Sequence, residues 1–383
     1  MGENLKESDL LKELVSRYEN KIGNFDKIQD LFENCEEYNP WNTEKTSELS
    51  KEFFAALKND DKEFSWLKID NDLYEELKDK TKKAASIDYG IPSHVRGDIE
   101  NGTLFLCLVN PNIEYKGSQK KGITSFYEEA RKLDSDDQSL KVIDENGKIS
   151  ITDQKISNYI VNTDPESSIL YNELDSLYDK IKKDKKTPKK YYGYYLSRYF
   201  PQIIISYMNK KEDIQPLMQK LKEDEWDKVK QMSTKIVDLE AFPFRSSKPH
   251  FAKKTTKDYK KRFANCLVKS TSNVSMLSAR IIIWRIVKYL KDINEDINIT
   301  RPKFVFRRFN TVWLPSLVNA LYYDLGYTNN YLELIEELHE YFFLTIDKKS
   351  SNMMRGYIGK RLFKNNTMLS DDEFDEFVRE TLK

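Results

Sequence analysis

The stretch TLFLCLV, residues 103–109, decides the fold class: seven consecutive residues of mostly apolar character, entered from a Gly-rich loop and stopped by Asn110-Pro111-Asn112. A short continuous apolar run bounded by turn signals reads as a β-strand buried on both faces. Pro111 has no N–H to give to a ladder, so the strand ends there. Three later runs share that character: KIVDLEAF (235–242), stopped by Pro243; KFVFRRF (303–309), ending at Asn310; and YFFLTI (341–346), ending at Asp347.

Between the runs lie segments of helical spacing. Residues 191–232 carry an apolar face through Ile203, Ile204, Ile205 and Tyr207, and VSMLSARIIIWRIVKYL (274–290) is strongly apolar. WLPSLVNALYYDL (313–325), YLELIEELHEYF (331–342) and a last segment over roughly 371–382 also read as helices. Buried strands separated by helices predict an α/β fold: a central, mostly parallel sheet flanked by helices in three layers. Upstream, residues 1–85 are charged and helical, with Leu10, Leu11, Leu14, Val15 and Tyr18 on one stripe, and form a helical N-terminal extension. The expected organisation is that region, an α/β core over 86–355 with a polar insertion near 135–190, and a C-terminal helical segment over 356–383. A small hairpin is expected within the insertion, at Asn146-Gly147.

Bulk composition narrows the class. Of 383 residues, 39% are hydrophobic and 13% aromatic, too apolar for a disordered chain. No apolar run approaches the roughly 18 residues of a membrane helix, so no membrane partner is expected. The charged N-terminus is unlike a signal peptide, and Lys6 occupies the position where a myristoylation signal wants Ser or Thr. Three widely spaced cysteines, Cys35, Cys107 and Cys266, fit a reducing compartment, and the expected location is cytoplasmic. With three histidines and no CxxC or HExxH spacing, no structural zinc site is expected, and no cofactor is implied. P-loop, dinucleotide-binding and nucleophile-elbow motifs are absent as well.

Formal net charge is zero, yet the basic residues cluster. KKDKKTPKK (182–190) holds six lysines against one aspartate, and residues 245–262 hold eight Lys or Arg against Asp258 alone. Tyr191, Tyr192, Tyr194 and Tyr195 follow the first run, while Phe251 and Tyr259 lie within the second. Basic residues interleaved with aromatics suit a nucleic-acid backbone and its bases. A solvated lysine loop is the plainer reading of the same residues.

Two of the strand endings carry a family resemblance, confined to about residues 87–355. LVNPNIEY (108–115) resembles the first motif of the uracil-DNA glycosylase superfamily, where a buried strand ends in an Asn-Pro-Gly or Asp-Pro-Tyr type of loop. DLEAFPFRSS (238–247) and FVFRRFNTVW (304–313) are similar to segments of a bacterial branch of glycosylase-like proteins, some of which act against phage DNA. Asn112 stands where that pattern has Gly, Arg245 stands where it has His, and the superfamily's His-Pro-Ser motif is absent.

The resemblance implies a DNA-binding protein that excises a base in antiviral defence, such as abortive infection. Asn110 would then orient water, and Phe244 or Tyr115 would stack on the base. Arg245 would offset charge on the leaving base, His250 would move a proton, and Ser246 and Ser247 would bind phosphate. Pro111, Asn112, Lys248, Arg308 and Asn310 would line the rest of the path. Each residue also has a structural explanation. Asn before Pro ends strands by bonding its own backbone; Phe244 and Trp313 fill core; Arg245 pairs with Glu240 or Asp238. Two further readings keep the fold: a non-catalytic phage sensor using the same pocket, and an oligomeric interaction protein assembled through the N-terminal helices as a homo-oligomer.

Overall fold

A computed structural model of the chain describes residues 5, 8–59, 61, 63–77, 85–87, 90–111, 153–183, 192–245, 263–295, 297–347, 349–350, 352–361 and 366–383. The expected hairpin at Asn146-Gly147 lies outside them. The N-terminal part runs through α1 (Asp9–Lys21), α2 (Ile28–Asn34), α3 (Glu44–Asn59) and α4 (Asn71–Leu77). Then come β1 (Val95–Arg96), β2 (Leu104–Leu108), α5 (Asp153–Ile160), β3 (Val161–Asn162) and α6 (Ile169–Lys183). A π-helical turn, Tyr195–Tyr199, leads into α7 (Pro201–Tyr207), α8 (Ile214–Lys220), α9 (Glu223–Ser233) and β4 (Ile236–Glu240). The chain continues with α10 (Phe263–Lys269), α11 (Asn273–Asn294), β5 (Lys303–Phe306), α12 (Trp313–Tyr323) and α13 (Tyr331–Tyr341). It closes with β6 (Phe343–Ile346), β7 (Ile358–Arg361), β8 (Asn366–Met368) and α14 (Asp371–Thr381).

The eight strands of the described residues join one sheet in the order β3-β1-β4-β2-β5-β6-β7-β8. Its middle is parallel: β2 pairs with β4 and with β5, and β5 with β6. These are the four apolar runs of the sequence, and because they run parallel their polar endings gather at one edge of the sheet. The flanks are mixed, with β1 antiparallel to β4 and parallel to β3, and the β7–β8 hairpin antiparallel to β6. The flanking strands are two to four residues long and were not legible from periodicity.

Strand alternation divides the core in two. Phe105, Cys107, Val237, Leu239, Phe304, Phe306 and Phe343 face one side, under α1–α5 and α10–α13. Leu104, Leu106, Leu108, Ile236, Val305, Leu344 and Ile346 face the other, under α6–α9 and α14. The result is the three-layer α/β arrangement. The N-terminal helices share the first core with the sheet: Leu11, Leu14 and Tyr18 of α1 are buried in it, and Trp284 Nε1 of α11 donates to the Phe25 carbonyl at 3.0 Å. The stripe of α1 is thus used within its own chain. Likewise, the described part of the stretch read as an insertion, 153–183, supplies β3 and α6 to the sheet and its second layer. Ahead of α14, the C-terminal segment extends the sheet by a hairpin. Among the described residues, no helix is long and apolar enough to cross a membrane.

Gly97 closes β1 with φ +104°, and a Cβ built there would lie 2.6 Å from the Ile236 carbonyl oxygen. Both the backbone angle and the approach of β4 exclude a side chain. Gly97→Ala is expected to cost about 2 kcal/mol or more of stability. Urea unfolding measures it, and a variant as stable as the parent would contradict this account of the β1–β4 contact.

Candidate functional site

The connection from β2 runs to β4 on one side, and the chain then crosses back to β5 on the other side of β2. Neighbouring strands whose connections leave in opposite directions open a crevice at their carboxyl ends, where ligands bind in such sheets. Here that switch point lies between the ends of β2 and β5, with the end of β4 beside it.

Asn110 and Pro111 follow β2. Asn110 is half-buried, and its Nδ2 donates to the Pro111 carbonyl at 3.1 Å, the local turn bond that Asn-Pro favours. Beyond β4, Phe244 is 1% exposed, with its ring 6.4 Å from Trp41 and 6.3 Å from Phe263. It is enclosed by core and presents no face to a ligand. Arg245 is half-buried; its Nε donates to the Ile91 carbonyl at 2.8 Å and its Nη2 to the Tyr159 hydroxyl. Beyond β5, Arg308 is exposed and left-handed, with φ 60°, and Asn310 is exposed on the turn that follows. Trp313 is fully buried against Phe306. The structure therefore brings Asn110, Arg245, Arg308 and Asn310 to one edge of the sheet. Asn112, Tyr115, Ser246, Ser247, Lys248 and His250, with most of both basic runs, lie outside the described residues.

Two residues of this edge were mentioned in the sequence only as partners for Arg245. Asp238 and Glu240 alternate on β4, opposite Leu106 and Leu108 of β2, and so share the face of Ile236. They are 2% and 6% exposed. Asp238 Oδ2 accepts from the Ile169 amide at the start of α6 at 3.4 Å. Asp238 Oδ1 and Glu240 Oε2 find no hydrogen-bond partner among the described residues. Burial pushes the Asp238 carboxyl up to about 7, against the pull of the Ile169 amide and Arg96. Burial pushes Glu240 well above the usual range too, and the neighbouring Asp238 adds to it, while Arg245 and Arg307 draw it down. Burial thus favours the protonated form of both carboxyls relative to exposed ones. The signal in the sequence was the pair of acids in the otherwise apolar run KIVDLEAF, since a charged residue inside a buried strand is costly unless it is paired or neutral.

Two tyrosines of the π-helical turn face the pair. Burial raises the Tyr195 hydroxyl well above its ordinary value, and the fields of Glu240 and Asp238 add to that. Tyr199 is buried and its hydroxyl accepts from Arg307 at 2.9 Å. The turn is anchored by Glu173 of α6, whose carboxylate takes the Tyr195 and Leu196 amides at 3.0 and 2.5 Å. Short π-helical turns recur at functional sites.

His94 is 1% exposed, in the core beside Trp41. Its Nδ1 accepts from Trp41 Nε1 at 3.3 Å, and burial drives its pKa down to about 3, so it stays neutral. Its carbonyl takes the Glu240 amide at 2.9 Å, and Ser278 donates to the Glu240 carbonyl at 2.7 Å. The main chain carrying the carboxyl is held from both sides.

Compared with protein-family models, curated proteins and solved structures, the chain matches none. Among the described residues, no group of three or more His, Cys, Asp or Glu side chains is placed to hold a metal ion. The arrangement itself offers a half-buried amide, a buried acid pair and arginines from three segments.

Proposed function

We propose that this chain binds nucleic acid at the carboxyl edge of its parallel strands and hydrolyses an N-glycosidic bond there, releasing a base from phage or modified DNA. What carries the reading is that Asn110, Arg245, Arg307 and Arg308 follow the carboxyl ends of the parallel strands β2, β4 and β5. Loss of a base from its sugar leaves positive charge on the sugar and negative charge on the departing base. An amide that orients water and a guanidinium near the leaving group answer those two needs. Arginines at the rim also suit the phosphates on either side of the target nucleotide.

The test is base release from end-labelled DNA, unmodified, uracil-containing and carrying phage-type modified bases, read as strand cleavage after alkali. Asn110→Ala is expected to lower the rate at least about 100-fold while DNA affinity changes less than about twofold. No cleavage on any of these DNAs would sink the reading.

The enclosed Phe244 ring and the Asn110–Pro111 bond favour a second reading, in which the edge binds a nucleotide or nucleic acid without chemistry. In that case Asn110→Ala leaves function unchanged.

A further inference from the structure

We propose that Asp238 and Glu240 are a buried acid pair that serves the carboxyl edge of the sheet as its acid and base, with Glu240 as the catalytic donor. This rests on the glycosidic reading above and adds residues that the strand-end motifs do not contain.

Four observations support it. Both carboxyls stand on one face at the carboxyl end of a central strand. Each keeps one buried oxygen with no partner among the described residues, so a hydrogen-bonding position is open on both. The pair differs from an ordinary buried ion pair, because no Lys or Arg lies within salt-bridge distance of either acid among the described residues. Finally, the main chain of Glu240 is fixed by His94 and Ser278, which keeps its carboxyl in place as the reaction proceeds.

The groups around the pair set its charge preference. Arg96 on β1 lies opposite Asp238, and Arg245 and Arg307 act on Glu240 from the ends of β4 and β5. Tyr195 and Tyr199 face it from the second layer, and the Cys107 thiol lies on the neighbouring strand, held neutral by burial and by the two acids. His94 is neutral. Two carboxyls buried on one apolar face without a counter-ion in contact cannot both ionise easily.

In the step itself the C1′–N bond breaks and its electron pair leaves with the base. The Glu240 proton passes to the base nitrogen. A water oxygen oriented by Asn110 bonds to C1′, and the proton it loses returns to the pair. Sugar–base and water become sugar–hydroxyl and protonated base, and the pair ends as it began.

Two measurements on the full chain test this. Infrared spectra without DNA are expected to show protonated carboxyl absorption at pH 7 that Glu240→Gln reduces, that Glu240→Gln combined with Asp238→Asn removes, and that fades as pH rises. Absence of that band in the parent protein overturns the pair, whatever the activity. With whichever labelled DNA the parent cleaves, Glu240→Gln is expected to lower base release by at least about 100-fold, with affinity within about twofold. Asp238→Asn is expected to move the alkaline limb of the rate profile. Glutamine matches a protonated glutamate in shape, so the variant retains the fold, and circular dichroism checks it. Base release at the parental rate in Glu240→Gln overturns the acid role and leaves the glycosidic reading standing. A parent protein that shows the band but cleaves no DNA overturns that reading, and the catalytic assignment with it.

Discussion

Asp238→Asn is expected to stabilise the protein at pH 8 by on the order of 4 kcal/mol and to leave its stability at pH 4 unchanged. The Asp238 carboxyl titrates near 7 in the folded protein against an ordinary value of 3.8. Below pH 4 both folded and unfolded chains hold the proton, and burial of a neutral carboxyl carries no ionic penalty. Between pH 4 and 7 the unfolded chain has released the proton while the folded one keeps it. Stability therefore falls with rising pH by about 1.4 kcal/mol per pH unit. Above pH 7 both are ionised and the full penalty remains. This is the reverse of a salt-bridged aspartate, whose stabilisation is lost as pH falls. Glu240 is displaced in the same direction, so the parent protein's slope exceeds that of one group. Asparagine carries no charge, and its side-chain oxygen can still accept from the Ile169 amide. Urea unfolding of parent and variant from pH 4 to pH 8 isolates the effect in the difference between the two curves. A difference that stays flat across that range would show that Asp238 is not buried as described.

The second large effect concerns Asp324. Arg280 of α11 donates to both its oxygens, through Nε at 2.8 Å and Nη2 at 2.9 Å. The two side chains are 6% and 13% exposed. Nη1 continues to the Glu37 carbonyl at 2.6 Å and to Asn273 Oδ1 at 3.0 Å, and the guanidinium stands 5.2 Å from the centre of the Tyr38 ring. One buried cation thus joins the N-terminal region, the start of α11 and the end of α12. Asp324→Asn removes the charge but not the cation, which is left buried without its counter-ion. A loss of about 3–5 kcal/mol follows, because the desolvation of the guanidinium is no longer offset. The double replacement Arg280→Met with Asp324→Leu removes both charges and is expected to recover most of that loss. Chemical denaturation of the single and double variants forms the cycle. If Asp324→Asn costs less than about 1 kcal/mol, the pair does not join these segments as described.

The four strands of the parallel centre were readable because a strand buried on both faces must be apolar along its length, whichever strands it joins. The helices α11–α14 were readable for a similar reason, since their spacing or apolar character is local. The flanking strands β1, β3, β7 and β8 escaped because two to four residues carry no periodic signal, and their pairing is fixed by neighbours distant in sequence. At the site, Asn110 and Arg245 were singled out as strand-end residues and do reach the same edge. Phe244, chosen with them, is enclosed by Trp41, some two hundred residues earlier in the chain. No local pattern reports such a contact.

By itself, the sequence determined the three-layer α/β plan and the polar ends of its central strands, because both follow from which residues water excludes and where proline stops a ladder. Only the tertiary structure decided the order of those strands and therefore where their connections change direction. It alone decided that Asp238 and Glu240 are buried on one face of β4, where burial favours their protonated forms. The proton affinity of a carboxyl is set by the water and charges around it, and those surroundings come from β1, β2, β5, α6 and the π-helical turn only once the chain has folded.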